Sequence, residues 1–393
     1  MQAQTRKKIA VLCSTDYNTY PVGGMMSFIK DAAPALSQRF DVDFWGVDAG
    51  SGLDSFTSGG EDFPVRFFAN VRTGRKLIPN LVRVTWQLRR NRAALLSEGY
   101  DALYIHGAPL NLALPASATP KRINHLHGPN NPLSSIKAGF LIQRGAVTWY
   151  ERVRKKAVQE SDLVILAADK EGLAPFKDRY PTQKMIVTLP NFCDTTTFNI
   201  GVLPIEKPDA NLDADDRILL FVGRLSREKD PLLAVRILAR IRSDLSEPDD
   251  VKLVVIGDGA LRQEAETLAR DLGVHDHIRF LGLQPRTMIA RWMRTADVLL
   301  LTSQFEGFPV VLTEAAQCGL PMVCPEITGV HDVVQPGRNG VIVESRDPAD
   351  FVAPIAEALA HRDDWGRRSR EIAAQYTPDI VLDRLCREIA DVL

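Results

Sequence analysis

Two carboxylates in the second half of the chain, Glu306 and Glu314, have the spacing and setting of a ligand site. The apolar run 297–303 has the length of a strand, Pro309 suits a first helical turn, and Gly319 would end that helix. Glu306 would then lie on the loop beyond a strand's carboxyl end, and Glu314 about one and a half turns into the helix. Ligands bind in this crevice in parallel α/β sheets. The alternative is that Glu306 lies near the helix start only because the helix dipole favours an anion there, and that Glu314 is a solvated helix position.

Two cations follow an earlier predicted strand, and their chemistry suits a diphosphate. Strand 219–222 leads into a loop that contains Arg224 and Lys229, before a helix from about residue 232. Arginine offers a planar fork of donors, lysine a mobile point charge, and the helix start adds free N–H groups. Two solvated surface cations are the alternative.

Glycines stand at two predicted strand ends. Gly23 and Gly24 lie between the first strand and a helix from about residue 27, where their N–H groups could approach an anion. An ordinary turn explains this pair equally well. Gly257 and Gly259 follow the strand 254–256, but the third glycine of a dinucleotide-binding fingerprint is missing, so NAD binding is not predicted.

Histidines also end two predicted strands, at His106 and at His127. Alternation along the second strand should place His125 and His127 on the same face, with His127 nearest the carboxyl end. Zinc is not expected, because the sequence lacks the spaced partner set of a metalloprotease or deaminase. A structural role is the alternative for each histidine.

The length and composition indicate a soluble globular protein with two domains. A chain of 393 residues is too long for one ordinary hydrophobic core. Its 45% apolar and 25% charged residues are typical of a soluble globular protein. No apolar run approaches the roughly 18 residues of a membrane-spanning helix, and the N-terminal apolar patch suits a first strand. We therefore predict a cytoplasmic protein, with membrane association as an option. The five cysteines form no C-x-x-C pair, so neither a disulfide frame nor a zinc site is expected, and most of them should be small buried apolar residues.

Apolar runs alternate with helical patterns along both halves, which predicts two parallel sheets with crossover helices. A polar, proline-bearing stretch, 200–217, is typical of an interdomain linker. A final amphipathic helix is predicted at about 379–392. The predicted strands are 9–13, 42–47, 65–69, 102–106, 122–126, 163–167 and 185–189, then 218–222, 252–256, 279–281, 298–302, 322–324 and 341–343.

Charge is distributed unevenly, with a net +8 for residues 1–200 and −9 for the remainder. The segment 66–92 contains eight cations and no acid, and apolar residues at near-helical spacing predict a basic amphipathic helix over 77–96. Such a helix could contact an anionic membrane or steer an anionic acceptor. A solvated helix face is the alternative. Nucleic acid is not expected as a partner, because no recognised binding module accompanies the charge.

In their order along the chain, these features resemble the retaining GT-B glycosyltransferases, specifically family four, the group 1 glycosyl transferases. The matching features are Gly23-Gly24, Gly223-Arg224-Leu225 with Lys229, Gly257-x-Gly259, Arg279-Phe-Leu-Gly282, Glu306 with Glu314, and Gly329 with Asn339-Gly340. The resemblance implies an α/β protein with two Rossmann-like domains whose parallel sheets face each other across a cleft. The expected domains are 1–198, joined by the returning helix 377–393, and 199–376.

The resemblance also implies roles for particular residues. Arg224 and Lys229 match the cations on the donor diphosphate, Glu314 the carboxylate on the ribose hydroxyls, and Glu306 the carboxylate beside the donor sugar. His127 matches a histidine that contacts the sugar. The further donor-binding positions are Gly23, Gly24, Gly257, Leu281, Gly282, Phe308, Pro309 and Val310.

The implied reaction is transfer of a sugar from a UDP- or GDP-sugar to a glycan, lipid-linked or small-molecule acceptor, with retention, in polysaccharide or glycolipid biosynthesis. No metal or other cofactor is expected, since the D-x-D strings 41–43 and 213–215 fall at a strand start and in the linker. A nucleotide-sugar epimerase and a non-catalytic nucleotide-sugar-binding subunit are the alternatives. A glycosidase is rejected, because one carboxylate of the pair would bind ribose. Phe192-Cys193-Asp194 departs from the family's usual Gly-Val-Asp, and Asp332 has no assigned role.

Overall fold

The chain forms two compact units, Met1–Asn191 with Asp379–Leu393, and Phe192–Pro378. The predicted boundaries lay at residues 198 and 376. The computed structural model describes residues 6–18, 24–71, 80–115, 120–127, 140–167, 170–183, 185–206, 212–244, 250–306 and 308–393. The predicted site residue Gly23, three cations of the basic segment and all of 128–139 lie outside these ranges.

The N-terminal unit is built on an eight-stranded sheet in the order β3-β4-β2-β1-β5-β6-β7-β8. Each neighbouring pair is parallel except the antiparallel pair β3–β4. Strand β3 was not predicted, because Ser-Phe-Thr-Ser offers a single apolar residue. The strands are β1 Lys8–Cys13, β2 Asp41–Asp48, β3 Ser55–Ser58, β4 Glu61–Asn70, β5 Ala102–His106, β6 Lys121–Leu126, β7 Leu163–Leu166 and β8 Ile186–Thr188.

Helices connect these strands, and the last helix of the chain also belongs to this unit. Arg39 on α1 forms an ion pair with Asp383 on α11 at 2.7 Å, and Cys386 Sγ donates to the Ala35 carbonyl at 3.8 Å. The helices are α1 Gly24–Arg39, α2 Asn80–Leu96, α3 Phe140–Gln159, α4 Lys170–Arg179 and α11 Pro378–Ala390.

The C-terminal unit is built on a six-stranded parallel sheet in the order β11-β10-β9-β12-β13-β14. These are the six strands that the sequence predicts, with bounds shifted by one or two residues. The strands are β9 Arg217–Val222, β10 Val251–Ile256, β11 Ile278–Gly282, β12 Val298–Leu300, β13 Met322–Pro325 and β14 Gly340–Val343. The helices are α5 Pro231–Asp244, α6 Arg262–Asp271, α7 Arg286–Thr295, α8 Val310–Gln317, α9 Val352–Ala360 and α10 Arg362–Ala373.

Both faces of this sheet are covered, which explains the continuous apolar runs of its strands. Ile218 and Leu220 on β9 pack in one core, with α7 and α8, whereas Leu219 and Phe221 pack in the other, with α5, α6 and α9. The two-residue period of the strand sends alternate side chains to opposite cores.

The stretch predicted as a linker packs, where it is described, on the C-terminal unit. Val202 and Ile205 pack against the core that also buries Phe198, just before this stretch, and the Ile205 N–H donates to Thr295 Oγ1 at 2.7 Å. Residues 207–211 lie outside the described ranges. All five cysteines are free and buried, as predicted. Across the described residues, no helix combines the length and apolar character needed to span a bilayer.

Candidate functional site

The candidate site lies at the carboxyl ends of two adjacent strands, β9 and β12. The chain builds β9, β10 and β11 in one direction across the sheet and then returns to place β12 on the other side of β9. The strand order therefore reverses between β9 and β12, and ligands bind at such a reversal in open α/β sheets. Lys229 follows β9 and Glu306 follows β12, so the topology brings these two predicted residues to one crevice.

Lys229 and Glu306 form a short ion pair. Lys229 Nζ donates to Glu306 Oε1 at 2.5 Å, and Ser303 Oγ donates to the same oxygen at 2.6 Å. The Glu306 side chain is 8% exposed and that of Lys229 is 25% exposed. A buried carboxylate is stabilised when a cation and a hydroxyl both contact it. The pair thus places a cation and an oriented carboxylate side by side where the strand order reverses.

Backbone contacts join the two loops that carry this pair. Thr302 Oγ1 lies 2.9 Å from the carbonyl oxygens of both Lys229 and Asp230, and the Gln304 N–H donates to the Glu228 carbonyl at 2.8 Å. Asp230 has φ +45°, a left-handed conformation that aspartate tolerates better than most residues. Its Oδ1 accepts from the Leu233 N–H at the start of α5. The sequence run Lys-Asp-Pro therefore ends the loop and begins the helix.

Arg224 is exposed on the loop directly after Gly223, and it forms no ion pair with the described residues. A guanidinium held at the carboxyl end of β9 and open to solvent is available to an anionic ligand. This placement is compatible with the predicted diphosphate contact, which stays a prediction.

Gly257 and Gly259 have a steric role in the fold around this crevice. Gly257 has φ +136°, and a Cβ there would lie 1.9 Å from the Gly223 carbonyl oxygen. A Cβ on Gly259 would lie 2.5 Å from the Leu225 carbonyl oxygen. The loop after β10 thus supports the loop that carries Arg224 by direct backbone approach. A donor contact at Gly257 remains a prediction beside this steric role.

Glu314 lies on α8 and is oriented by a second cation. Arg286 Nη2 donates to Glu314 Oε1 at 3.3 Å, and the Arg286 guanidinium stacks over the Phe198 ring at 5.3 Å. The Glu314 side chain is 15% exposed. A partly exposed carboxylate on the helix after β12 can accept from hydroxyl groups, as the predicted ribose contact requires.

The remaining predicted donor positions lie before and at the start of α8, at the end of β11, or in the other unit. Phe308 and Pro309 are buried before α8, and Val310 begins that helix. The other two positions of this unit, Leu281 and Gly282, end β11 and are half-buried. In the N-terminal unit, Gly24 is the first residue of α1.

A cluster of three histidines lies at the carboxyl ends of β5 and β6. His106 Nδ1 and His127 Nε2 are hydrogen-bonded at 2.8 Å, and Tyr104 Oη and His125 Nδ1 at 2.6 Å. The rings of His125 and His127 stack at 4.3 Å, which confirms their predicted common face. Burial lowers the pKa of His127 to about 3 and holds those of His106 and His125 well below the ordinary value. The cluster is therefore neutral at physiological pH.

Ring geometry in this cluster is poorly suited to a shared metal ion. One nitrogen from each of His106, His125 and His127 lies within 4.8 Å of the others. A metal ion, however, must lie near the plane of each imidazole that binds it, and the planes of His125 and His127 are nearly parallel, at 10°. The hydrogen bond between His106 and His127 would also have to break. The rings would have to rotate before these residues could bind a metal together.

The buried histidines predict a specific pH dependence of stability. The pKa of His127 is about 3 in the folded protein against 6.5 for the unfolded residue, so the unfolded chain binds a proton that the folded chain does not. The contribution of neutral His127 to stability is therefore present above the unfolded pKa of 6.5, and it is lost as the pH falls from there toward 3. From pH 7.5 to pH 5, His127 should account for a loss of about 2 kcal/mol of unfolding free energy. Urea denaturation at both pH values should show a smaller loss for His127→Gln; equal losses in variant and wild type would contradict the assignment.

Four residues around these groups were not predicted: Ser303, Arg286, His106 as a partner of His127, and Arg346 on the loop after β14. The contact of Ser303 with Glu306 could have been predicted, because side chains three positions apart in sequence can meet in a tight loop. The other partners are 21 or more residues from the group they contact, and only the strand order brings them together.

Comparison with solved structures identifies the class of fold. Sucrose-phosphate synthase from Thermosynechococcus elongatus aligns over 98% of this chain and 99% of its own, with a TM-score of 0.80 and 19% identity. Anabaena HepE in complex with UDP and glucose aligns over 98% of this chain and 100% of its own, with a TM-score of 0.70 and 17% identity. The chain thus has the GT-B glycosyltransferase fold, as predicted.

Sequence comparison then finds a family similarity in the C-terminal unit. Residues 204–377 match the family described as Glycosyl transferases group 1. A D-inositol 3-phosphate glycosyltransferase of Geodermatophilus obscurus is 31% identical over 242 residues, which is 59% of this chain and 53% of that protein. Residues 204–377 are therefore similar to the group 1 glycosyl transferases, and the chain spans about half the length of the curated relatives it matches.

Proposed function

We propose that this protein transfers a sugar from a UDP- or GDP-sugar to a hydroxyl-bearing acceptor with retention of anomeric configuration. The observation that carries the proposal is the pair Lys229–Glu306 at the strand-order reversal, with the exposed Arg224 on the same loop as Lys229. Two cations there can stabilise the departing diphosphate, as a metal ion does elsewhere. The oriented Glu306 carboxylate can stabilise positive charge that develops on the donor sugar.

The proposed course divides the work between the groups of the crevice. Arg224 and Lys229 bind the diphosphate, Glu314 accepts from the ribose hydroxyls, and Glu306 orients the sugar. The acceptor attacks on the face from which the diphosphate leaves, and the leaving phosphate takes the acceptor proton. Electrostatic preorganisation supplies most of the rate enhancement in this scheme. No resident metal is part of it.

Names of related proteins support the choice of substrates to test first. One structural neighbour was solved with UDP and glucose, and a curated relative is named a D-inositol 3-phosphate glycosyltransferase. We therefore propose a phosphorylated polyol as the first acceptor to test, ahead of glycans and lipid-linked sugars.

The test combines the purified chain with UDP- and GDP-sugars and D-inositol 3-phosphate, and follows the product by NMR. The wild type should form a glycoside with the donor's anomeric configuration. Arg224→Ala should lower turnover at least roughly 100-fold while the fold stays intact, since the side chain is exposed. Normal turnover in that variant, or an inverted product, would overturn the proposal. Release of an epimer in the absence of an acceptor would favour the epimerase alternative. Donor that binds but does not react would favour the non-catalytic binding subunit.

Contact with an anionic membrane is a second part of the proposal, and α2 supports it. Trp86 is 61% exposed and Val82 45%, with the Arg90 guanidinium 5.9 Å from the Trp86 ring centre. An exposed tryptophan beside arginines suits a lipid interface. Part of the segment 66–92 has a structural role instead, since Arg66 pairs with Glu98 at 2.9 Å and Arg92 donates to the Ala113 carbonyl.

Sedimentation with vesicles rich in anionic lipid tests this contact. At low salt the wild type should bind, and Trp86→Ala should bind more weakly because its apolar area is lost. The exposed Trp149 on α3 offers a matched control, Trp149→Ala. Equal binding by both variants, or no binding by the wild type, would rule out α2 as the lipid contact.

A further inference from the structure

Arg346, on the loop after β14, contacts both loops that carry the candidate site. Its Nη1 donates to the Ser303 carbonyl at 3.0 Å, and its Nη2 donates to the Thr302 carbonyl and to Asp230 Oδ2, each at 2.8 Å. Two of these acceptors lie on the loop after β12 and the third on the loop after β9. One planar guanidinium therefore fixes the two loops relative to each other.

Each acceptor is next to a group of the proposed site. Asp230 is the chain neighbour of Lys229, and Ser303 donates its hydroxyl to Glu306 Oε1 at 2.6 Å. Thr302 Oγ1 in turn donates to the Lys229 carbonyl. Arg346 is thus connected on one side to the cation and on the other to the carboxylate of the ion pair.

The position of Arg346 also matters for the charge of the crevice. Asp230 would place a second carboxylate next to Lys229 and lower the positive charge available to a diphosphate. The ion pair at 2.8 Å with Arg346 compensates that charge. The carbonyls of Thr302 and Ser303 lie beyond the end of β12 at Leu300, where the guanidinium satisfies them in place of a strand partner.

We propose that Arg346 is a positioning residue that holds Lys229 and Glu306 in the relative arrangement that donor transfer requires. This inference rests on the proposed function. It differs from a purely structural role, in which loss of Arg346 would lower stability and leave turnover per folded molecule unchanged.

The test compares Arg346→Ala with Arg338→Ala, an arginine of the same unit that donates to Gln335 and is 50% exposed. In Arg346→Ala, turnover should fall roughly 100-fold, as expected when reacting groups are displaced by about 1 Å. The KM for the donor should change less than kcat. Free guanidinium ion, which fits the space left by the side chain, should restore part of the turnover. Arg338→Ala should match the wild type in each measurement.

Hydrogen exchange separates failure of this inference from failure of the proposed function. Amides of 224–230 and 302–306 should exchange faster in Arg346→Ala, because both loops lose a shared contact. If the wild type transfers no sugar, the proposed function fails, and exchange alone decides whether Arg346 fixes the loops. Unchanged exchange in both segments would overturn the inference. Turnover at the wild-type level, or no rescue by guanidinium in an otherwise folded variant, would overturn it as well.

Discussion

Lys229→Met is expected to lower sugar transfer by a factor on the order of 10²–10³, because it removes a charge that stabilises the departing diphosphate. It should also destabilise the protein by about 2 kcal/mol, since the buried Glu306 carboxylate loses its cation and, among the described side chains, keeps the Ser303 hydroxyl. That cost is below the value for a fully buried pair, because the Lys229 side chain is 25% exposed. Initial transfer rates and urea denaturation measure the two effects.

The double variant Lys229→Met/Glu306→Gln separates charge compensation from catalysis. Glutamine keeps an oxygen for the Ser303 hydroxyl but carries no charge, so most of the lost stability should return. Transfer should stay at the level of the single variant or below it. A double variant as unstable as Lys229→Met would contradict the stability argument, and recovery of transfer would contradict the catalytic one.

Gly257→Ala is expected to have the largest effect on stability, on the order of 4 kcal/mol. The added Cβ would lie 1.9 Å from the Gly223 carbonyl oxygen, and a backbone atom cannot rotate away as a side chain can. The φ of +136° adds strain for any residue with a Cβ. A loss of this size removes a large fraction of the stability of an ordinary domain. Urea denaturation followed by circular dichroism measures it.

Gly273→Ala is the matched control, because that residue has φ +68° but no atom within 4 Å of a built Cβ. It should lose only about 1 kcal/mol, the cost of the left-handed conformation alone. If the two variants were equally stable, the close approach of the loops after β9 and β10 would not be the reason for glycine at position 257.

Prediction from the sequence succeeded where local pattern decides the outcome. The apolar runs at β9 and β12 are recognisable because strands covered on both faces have few polar residues. Gly319, with φ +75°, ends α8 as predicted, since helix ends favour a residue without a Cβ. Strand β3 was missed because an edge strand of four residues with one buried phenylalanine resembles a loop. The linker was misplaced because its prolines and charges obscured the apolar anchors Val202 and Ile205.

Individual residues of the candidate site could be proposed from the sequence, but the contacts between them could not. Lys229 and Glu306 are 77 positions apart, and they meet only because β12 pairs directly with β9. Arg346 lies 116 positions from Asp230, on a loop without periodicity or a motif of its own. The pairing of Glu314 with Arg286 depends in the same way on the packing of α7 and α8. The steric role of Gly257 against the Gly223 carbonyl was not predicted, and its donor contact stays a prediction.

Binding of nucleoside diphosphates tests the central claim most directly, that the crevice at β9 and β12 holds a nucleotide sugar. Calorimetry with UDP, GDP and ADP should show tight binding of one of the three by the wild type, with a matching rise in unfolding temperature. Arg224→Ala should weaken that binding at least roughly tenfold, since a charge-assisted contact to phosphate is lost. Absence of binding by all three nucleotides, or equal binding by Arg224→Ala, would contradict the account.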